Sequence, residues 1–172
     1  MDWTMGLLSA LDSCGEEGRV AADYLRLHKT RLGFRRVRSN VGAFWTPLGN
    51  INLNTIHFSP ETPFSDPRLL TLIVHEVCHL QQGWVVSLSV YGELEAWQLQ
   101  YRFYRRLTGS LLHPALTELL SLPLIWDRAV LGHARELMQV YAGTGYRVDL
   151  LPLYPLHAEL MFLMFHRQPT VA

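Results

Sequence analysis

His75-Glu76-Val77-Cys78-His79 is the stretch on which the reading of this chain turns. It has the form His-Glu-x-x-His. On a helix, positions 75 and 79 lie one turn apart on one face, so two imidazoles can converge on one ion. Glu76, the next residue round, can reach a water at the metal and take its proton. The flanks suit a helix. Asp66 is placed to cap it, Pro67 falls at a first helical position, and Leu69, Leu70, Leu72, Ile73 and Val74 form an apolar run. Gly83 is a natural stop. The chain holds 8 histidines, so chance matches have to be weighed. Two His and a Glu inside an apolar run cost energy unless they are partnered, which favours a metal site over core histidines.

Two imidazoles and a water leave a zinc site one protein ligand short. Downstream, Tyr91-Gly92-Glu93-Leu94-Glu95-Ala96-Trp97-Gln98 carries two carboxylates in a helical stretch that Ser87 could cap. Glu93, Trp97, Gln100 and Tyr104 fall on one stripe, and Glu95, Gln98, Leu99 and Arg102 on another. A short link would fold one stripe over the His pair. Spacing alone leaves Glu93 and Glu95 both open. The metzincin continuation is excluded, because Gln82 and Val85 stand where it needs Gly and His. A peptide-deformylase site needs an upstream cysteine in its own loop motif, and only Cys14 lies upstream.

With His75-Glu76-x-x-His79 followed by Glu93-x-x-Ala96, the chain resembles the gluzincin branch of zincin metallopeptidases. It is most similar to the small, single-domain minigluzincin-like proteins. The resemblance covers roughly residues 40 to 105 and is carried by 75–79 and 93–96. It implies Zn2+ as cofactor, His75, His79 and Glu93 as ligands, and Glu76 as general base and acid. It also implies a zincin-like fold, with an active-site helix packed on a small sheet. One departure stands out. Many members have an Asp four residues after the third ligand, supporting a ligating imidazole; here that position is Trp97. Such support tunes affinity and basicity, so another group must supply it or the site is weaker.

The expected activity is zinc-dependent peptide-bond hydrolysis on a peptide or protein substrate. Zinc would acidify its water, and Glu76 would take the proton and pass it to the leaving amine. No motif for gripping a substrate N-terminus is present, which favours an endopeptidase. Two rival readings stand beside it: a catalytically silent zinc-binding regulatory or interaction module, and a zinc hydrolase acting on other bonds. Glu76 argues against the silent module, since a purely structural site has no use for it and is normally closed by a fourth ligand.

At 172 residues, one domain spanning 1–172 is expected. The chain is 49% hydrophobic and 17% charged, with zero formal net charge. That gives no support for nucleic-acid binding or attraction to an anionic membrane. No apolar run reaches the ~18 residues of a membrane span. The start, Met1-Asp2-Trp3, does not resemble a signal peptide, so a cytoplasmic location is expected. Cys14 and Cys78 are too differently placed to form a bridge, and Cys78 reads as a small apolar residue packed behind the site. Nothing in the sequence sets an oligomeric state.

The fold class expected is α+β: a small antiparallel or mixed sheet near residues 34–58, then a mainly helical C-terminal part. Residues 2–14 and 16–32 read as helices, with Gly33 as a stop. Val41 to Thr46 and Asn50 to Phe58 read as a hairpin, turned at Pro47-Leu48-Gly49-Asn50, with Asn50, Asn52 and Asn54 on a wet face. The second strand is expected to border the cleft as an open edge on which an extended substrate could pair. Thr108-Gly109-Ser110 breaks the chain, and helices follow at 114–122, 125–141 and 156–166. The proline-punctuated stretch Val148 to Pro155 is a candidate cover that would make the protein latent. An oxyanion donor is sought among Tyr146, Tyr154 and His157, between which spacing does not choose. His133 and Glu136 read as a surface pair, and Trp97, Tyr101 and Tyr104 as core.

Overall fold

A computed structural model describes residues 3–143 and 145–165. Two helices open the chain, α1 (Trp3–Ser13) and α2 (Glu16–Leu27). Three short strands follow, β1 (Leu32–Arg35), β2 (Ala43–Trp45) and β3 (Ile51–Asn54). The remainder is helical: α3 (Pro67–Ser87), α4 (Val90–Thr108), α5 (Pro114–Ser121), α6 (Arg128–Ala142), a 3-10 turn at Val148–Leu150 and α7 (Leu156–Phe165). Among the described residues this is a mixed α+β arrangement with one small sheet, and no helix is long and apolar enough to cross a membrane. Met1, Asp2 and His166, which fall in segments read above, lie outside the described residues.

The sheet order is β1-β3-β2. β2 and β3 form the expected antiparallel hairpin, with Ala43 opposite Leu53 and Trp45 opposite Ile51. β1 joins parallel on the other side of β3, Leu32 opposite Ile51. Three expectations fall here. The helix ends at Leu27, well before Gly33, because Lys29 turns left-handed (φ 50) and the Thr30 amide bonds back to the Leu25 carbonyl. Gly33 is then a strand residue facing Asn52. β3 is the central strand and offers no open edge; the edge beside the cleft is β2. Asn54 is also not wet. It is fully buried, and its amide donates to the carbonyls of Arg38 (2.8 Å) and Val41 (2.6 Å), pinning the β1–β2 loop.

Helix α3 begins as its sequence requires. The Asp66 carboxylate accepts from the Arg68 amide at 2.9 Å, and Pro67 occupies the first turn. Gly83 breaks the regular helix (φ 71, ψ 160), and a last turn runs on to Ser87. The cap of α4 is Ser89, whose hydroxyl accepts from the Gly92 amide at 3.1 Å; Ser87 is buried and does not cap. The carbonyls of Pro152 and Leu153 take up the amides of Val90 and Tyr91. The Val148 to Pro155 stretch therefore braces the start of α4, and none of its residues lines the cleft. The expected cover is not there.

α3 and α4 form an antiparallel pair between two apolar clusters. One joins α1, α2 and the sheet to α3, with Leu7, Leu11, Leu53, Ile73 and Phe103 inaccessible. The other joins α4 to α5 and α6, with Leu94, Leu119, Leu131 and Met138 inaccessible. Burying such side chains is worth about 1.5–3 kcal/mol each and makes the pair a rigid seam. The chemistry-bearing side chains lie along that seam.

Candidate metal centre

Helix α3 carries His75 and His79 on one face, and their rings meet edge to face with centroids 4.6 Å apart. Their Nε2 atoms lie 3.0 Å apart. α4 brings Glu93 across, its Oε1 lying 3.5 Å from His79 Nε2 and its Oε2 4.0 Å from His75 Nε2. Tetrahedral coordination at about 2.0–2.1 Å places ligand atoms roughly 3.3 Å from one another, so the three donors converge at the right spacing for one ion. The set is two imidazole nitrogens and one carboxylate oxygen, which suits zinc and other borderline divalent metals. Both histidines are buried, His75 at 7% exposure and His79 at 2%. Burial and the neighbouring His79 push the His75 imidazolium well below its usual range, which keeps the ring neutral and its lone pair free. At 3.0 Å the two Nε2 atoms can share one N–H···N hydrogen bond, and a cation could take up both lone pairs in its place.

Gly92 explains how α4 comes so close. A Cβ there would sit 2.3 Å from the Val86 carbonyl oxygen, so only glycine admits the contact. The room it makes is for the backbone of α3, not for the ion. Ala96, wholly buried one turn on, places its carbonyl beside His75. Glu95 points away from the donors. It accepts from Gln82 Nε2 at 3.0 Å and does not meet Arg102, whose guanidinium bonds Gln98 and the Leu120 carbonyl.

Glu76 is 3% exposed and lines the same cleft. Burial raises its carboxyl to about 8, the Glu93 charge adds to the rise, and the Trp45 backbone amide works against it. That amide comes from β2. Thr46 and Gly42 carry the ladder bonds to β3, so the peptide groups of Ala43 and Trp45 face the cleft side.

Of the three oxyanion candidates, the structure brings only Tyr146 to the donors. Its ring keeps partial exposure, but its hydroxyl donates to Glu93 Oε2 and accepts from the Trp97 indole at 3.0 Å. Burial and the charges of Glu93 and Glu76 hold its phenol well above the ordinary value. Tyr154 instead packs against Trp126 and Phe162, and His157 against Trp126. Trp97 also donates to Glu93 Oε2, at 3.2 Å. Trp97 and Tyr146 thus both hold Oε2 of Glu93, which leaves Oε1 free toward His79. Trp97, Tyr101 and Tyr104 all line the cleft with Tyr146; Trp97 is also core, at 5% exposure, and Tyr101 packs half-buried against the same apolar cluster.

The cleft measures about 670 Å3 and continues past Gln100 and Tyr104 toward Arg68. Cys78 is buried behind the site, and burial pushes its thiol up to about 12, so it is inert, as expected. His133 is a surface residue; its nearer partner is Glu118 at 2.7 Å, with Glu136 at 3.7 Å. Sequence reasoning treated Gln82 only as a mismatch. A polar residue three places after His79 on the metal face was the available signal. No family model, curated protein or solved structure matches the chain. The site defines a His-His-Glu group that can hold a metal ion, and its reading rests on its own geometry.

Proposed function

We propose that this chain is a zinc-dependent endopeptidase of the gluzincin kind. The observation that carries the reading is the placement of Glu76, a buried carboxyl of raised basicity, in the cleft beside the convergent His75, His79 and Glu93. A structural metal site needs the donors but not this group. Bound at those donors, zinc supplies Lewis acidity toward a water and a substrate carbonyl.

The remaining work falls to the chain. Glu76 accepts the proton of the attacking water and returns it to the leaving nitrogen. A cation beside it favours its charged form and brings its basicity back toward neutral pH. Tyr146 stands where its hydroxyl can leave Glu93 and donate to the oxygen of the tetrahedral intermediate. An extended substrate can lie along the β2 edge, where the Ala43 peptide group and the Trp45 carbonyl face outward and the Trp45 amide is held by Glu76. A cleft of about 670 Å3 walled by Tyr101, Tyr104 and Trp45 has room for a short peptide segment.

The test is a broad peptide-library digestion with zinc-loaded protein. The wild type should cleave. Glu76→Gln should retain zinc and lose at least about a hundredfold in rate. Full activity in the variant removes Glu76 from the mechanism. Zinc binding without cleavage of any peptide favours the silent module.

A further inference from the structure

Gln82 has a network around it that metal ligation does not require. It follows His79 by three residues, so both side chains share a helix face. Its Oε1 lies 3.0 Å from His79 Nδ1. Its Nε2 lies 2.9 Å from the Gly92 carbonyl oxygen and 3.0 Å from Glu95 Oε2, with Cys78 Sγ at 3.5 Å. Both oxygens facing Nε2 are acceptors, so only the NH2 end of the amide can sit there. The amide oxygen is then fixed against His79 Nδ1. That oxygen only accepts, so Nδ1 must carry the hydrogen. A neutral imidazole carries one, which leaves the lone pair on Nε2. Nε2 is the atom that faces His75 and Glu93. A flipped amide would put its oxygen against the Gly92 carbonyl and Glu95 carboxylate oxygens.

We propose that Gln82, oriented by Glu95 and the Gly92 carbonyl, is a positioning residue that locks His79 in its Nδ1–H tautomer and aims Nε2 at the ion. The inference rests on reading the site as a metal centre. It also gives the second carboxylate of the α4 motif a role: Glu93 faces the ion and Glu95 sets the amide that sets the histidine. His75 has no such lock. Its Nδ1 is buried without a hydrogen bond of ordinary geometry, near the Ala96 carbonyl and Gln100. The support usually expected from position 97 is thus divided, with Trp97 holding Glu93 and the Gln82–Glu95 pair holding His79.

The experiment uses the full chain labelled with 15N-histidine. Two-bond 1H–15N correlations of the metal-free protein report each tautomer, and competition with a chromophoric chelator reports zinc affinity. Wild-type His79 should show the Nδ1–H pattern. Gln82→Leu removes the acceptor; His79 should shift toward the Nε2–H tautomer, and zinc affinity should fall by about tenfold or more. Glu95→Gln frees the amide to flip and should cost a few-fold. Combining Gln82→Glu with Glu95→Gln reverses donor and acceptor between these two side chains and keeps an acceptor on His79, although the Gly92 carbonyl then faces a carboxylate oxygen. This double variant should recover the Nδ1–H pattern, which a mere packing role would not produce, with only part of the affinity. An Nε2–H tautomer in the wild type, or an unchanged tautomer in Gln82→Leu, overturns the proposal. If Gln82→Leu does not fold, Glu95→Gln and the double variant decide. A wild type that binds no zinc defeats the metal-centre reading, while the tautomer measurement still judges the lock.

Discussion

Glu76 is buried in the cleft, and the Glu93 charge adds to what burial does to its carboxyl. In chelator-stripped protein the Glu76 carboxyl is held near 8 against an ordinary 4.5. A raised acid keeps its proton in the fold after the unfolded chain has lost it. The folded state then binds more protons, so stability falls as pH rises from about 4.5 to 8. The loss is on the order of a few kcal/mol. Glu76→Gln removes it. Urea unfolding of the metal-free proteins should show the variant more stable than wild type at pH 8 and nearly equal at pH 4.5. Parallel pH profiles would contradict the burial of this charge. Glu93→Gln should weaken zinc binding by at least tenfold, with the donor atom of the carboxylate reduced to a poorer amide oxygen. Tyr146→Phe should keep zinc and lower turnover by about 10²–10³, the usual loss for one oxyanion donor; unchanged turnover would remove Tyr146 from the chemistry. His75, Glu76 and His79 were legible because a helix turn translates spacing directly into direction, whereas Glu93, on another helix, was singled out over Glu95 only by the family resemblance. Tyr146 was not legible, because it lies 53 residues from Glu93 and reaches it only through the packing of α6 on α4.

At the scale of elements, the site depends on how closely α4 approaches α3. Gly92 sets that approach against the Val86 carbonyl. Gly92→Ala should destabilise by about 1–3 kcal/mol through forced separation, and should weaken zinc binding as well. Gly132 offers a contrast within α6, with open space where a Cβ would go. Gly132→Ala should stabilise by about 0.5–1 kcal/mol and leave the metal untouched. Denaturant titrations of both variants check the pair; equal effects would mean the α3–α4 contact is slack. The helices were readable where caps are local, as with Asp66-Pro67 and Gly109, whose left-handed turn ends α4. The sheet was readable only as a hairpin. β1 pairs with β3 across some twenty residues, and such long-range pairing leaves no periodic signal. That missing partner is why β3 was taken for an edge and the role of β2 went unseen.

For the whole molecule, the metal is expected to tie two halves of the core together. His75 and His79 sit on the helix packed against α2 and the sheet, and Glu93 on the helix packed against α5 and α6. Saturating zinc at about a thousand times its dissociation constant should stabilise the fold by about 4 kcal/mol, and chelation should reverse this. The α+β class and the helical C-terminal part were legible from composition and breaks, whereas the bracing role of Val148 to Pro155 depends on two backbone bonds that only the folded chain reveals. The central claim is that His75, His79 and Glu93 form one metal centre. Elemental analysis after exhaustive dialysis tests it most directly, comparing the wild type with His79→Ala. The account predicts about one zinc per wild-type chain and almost none in the variant, because two remaining donors cannot hold the ion tightly. A wild type without metal, or a variant with its full complement, would contradict it.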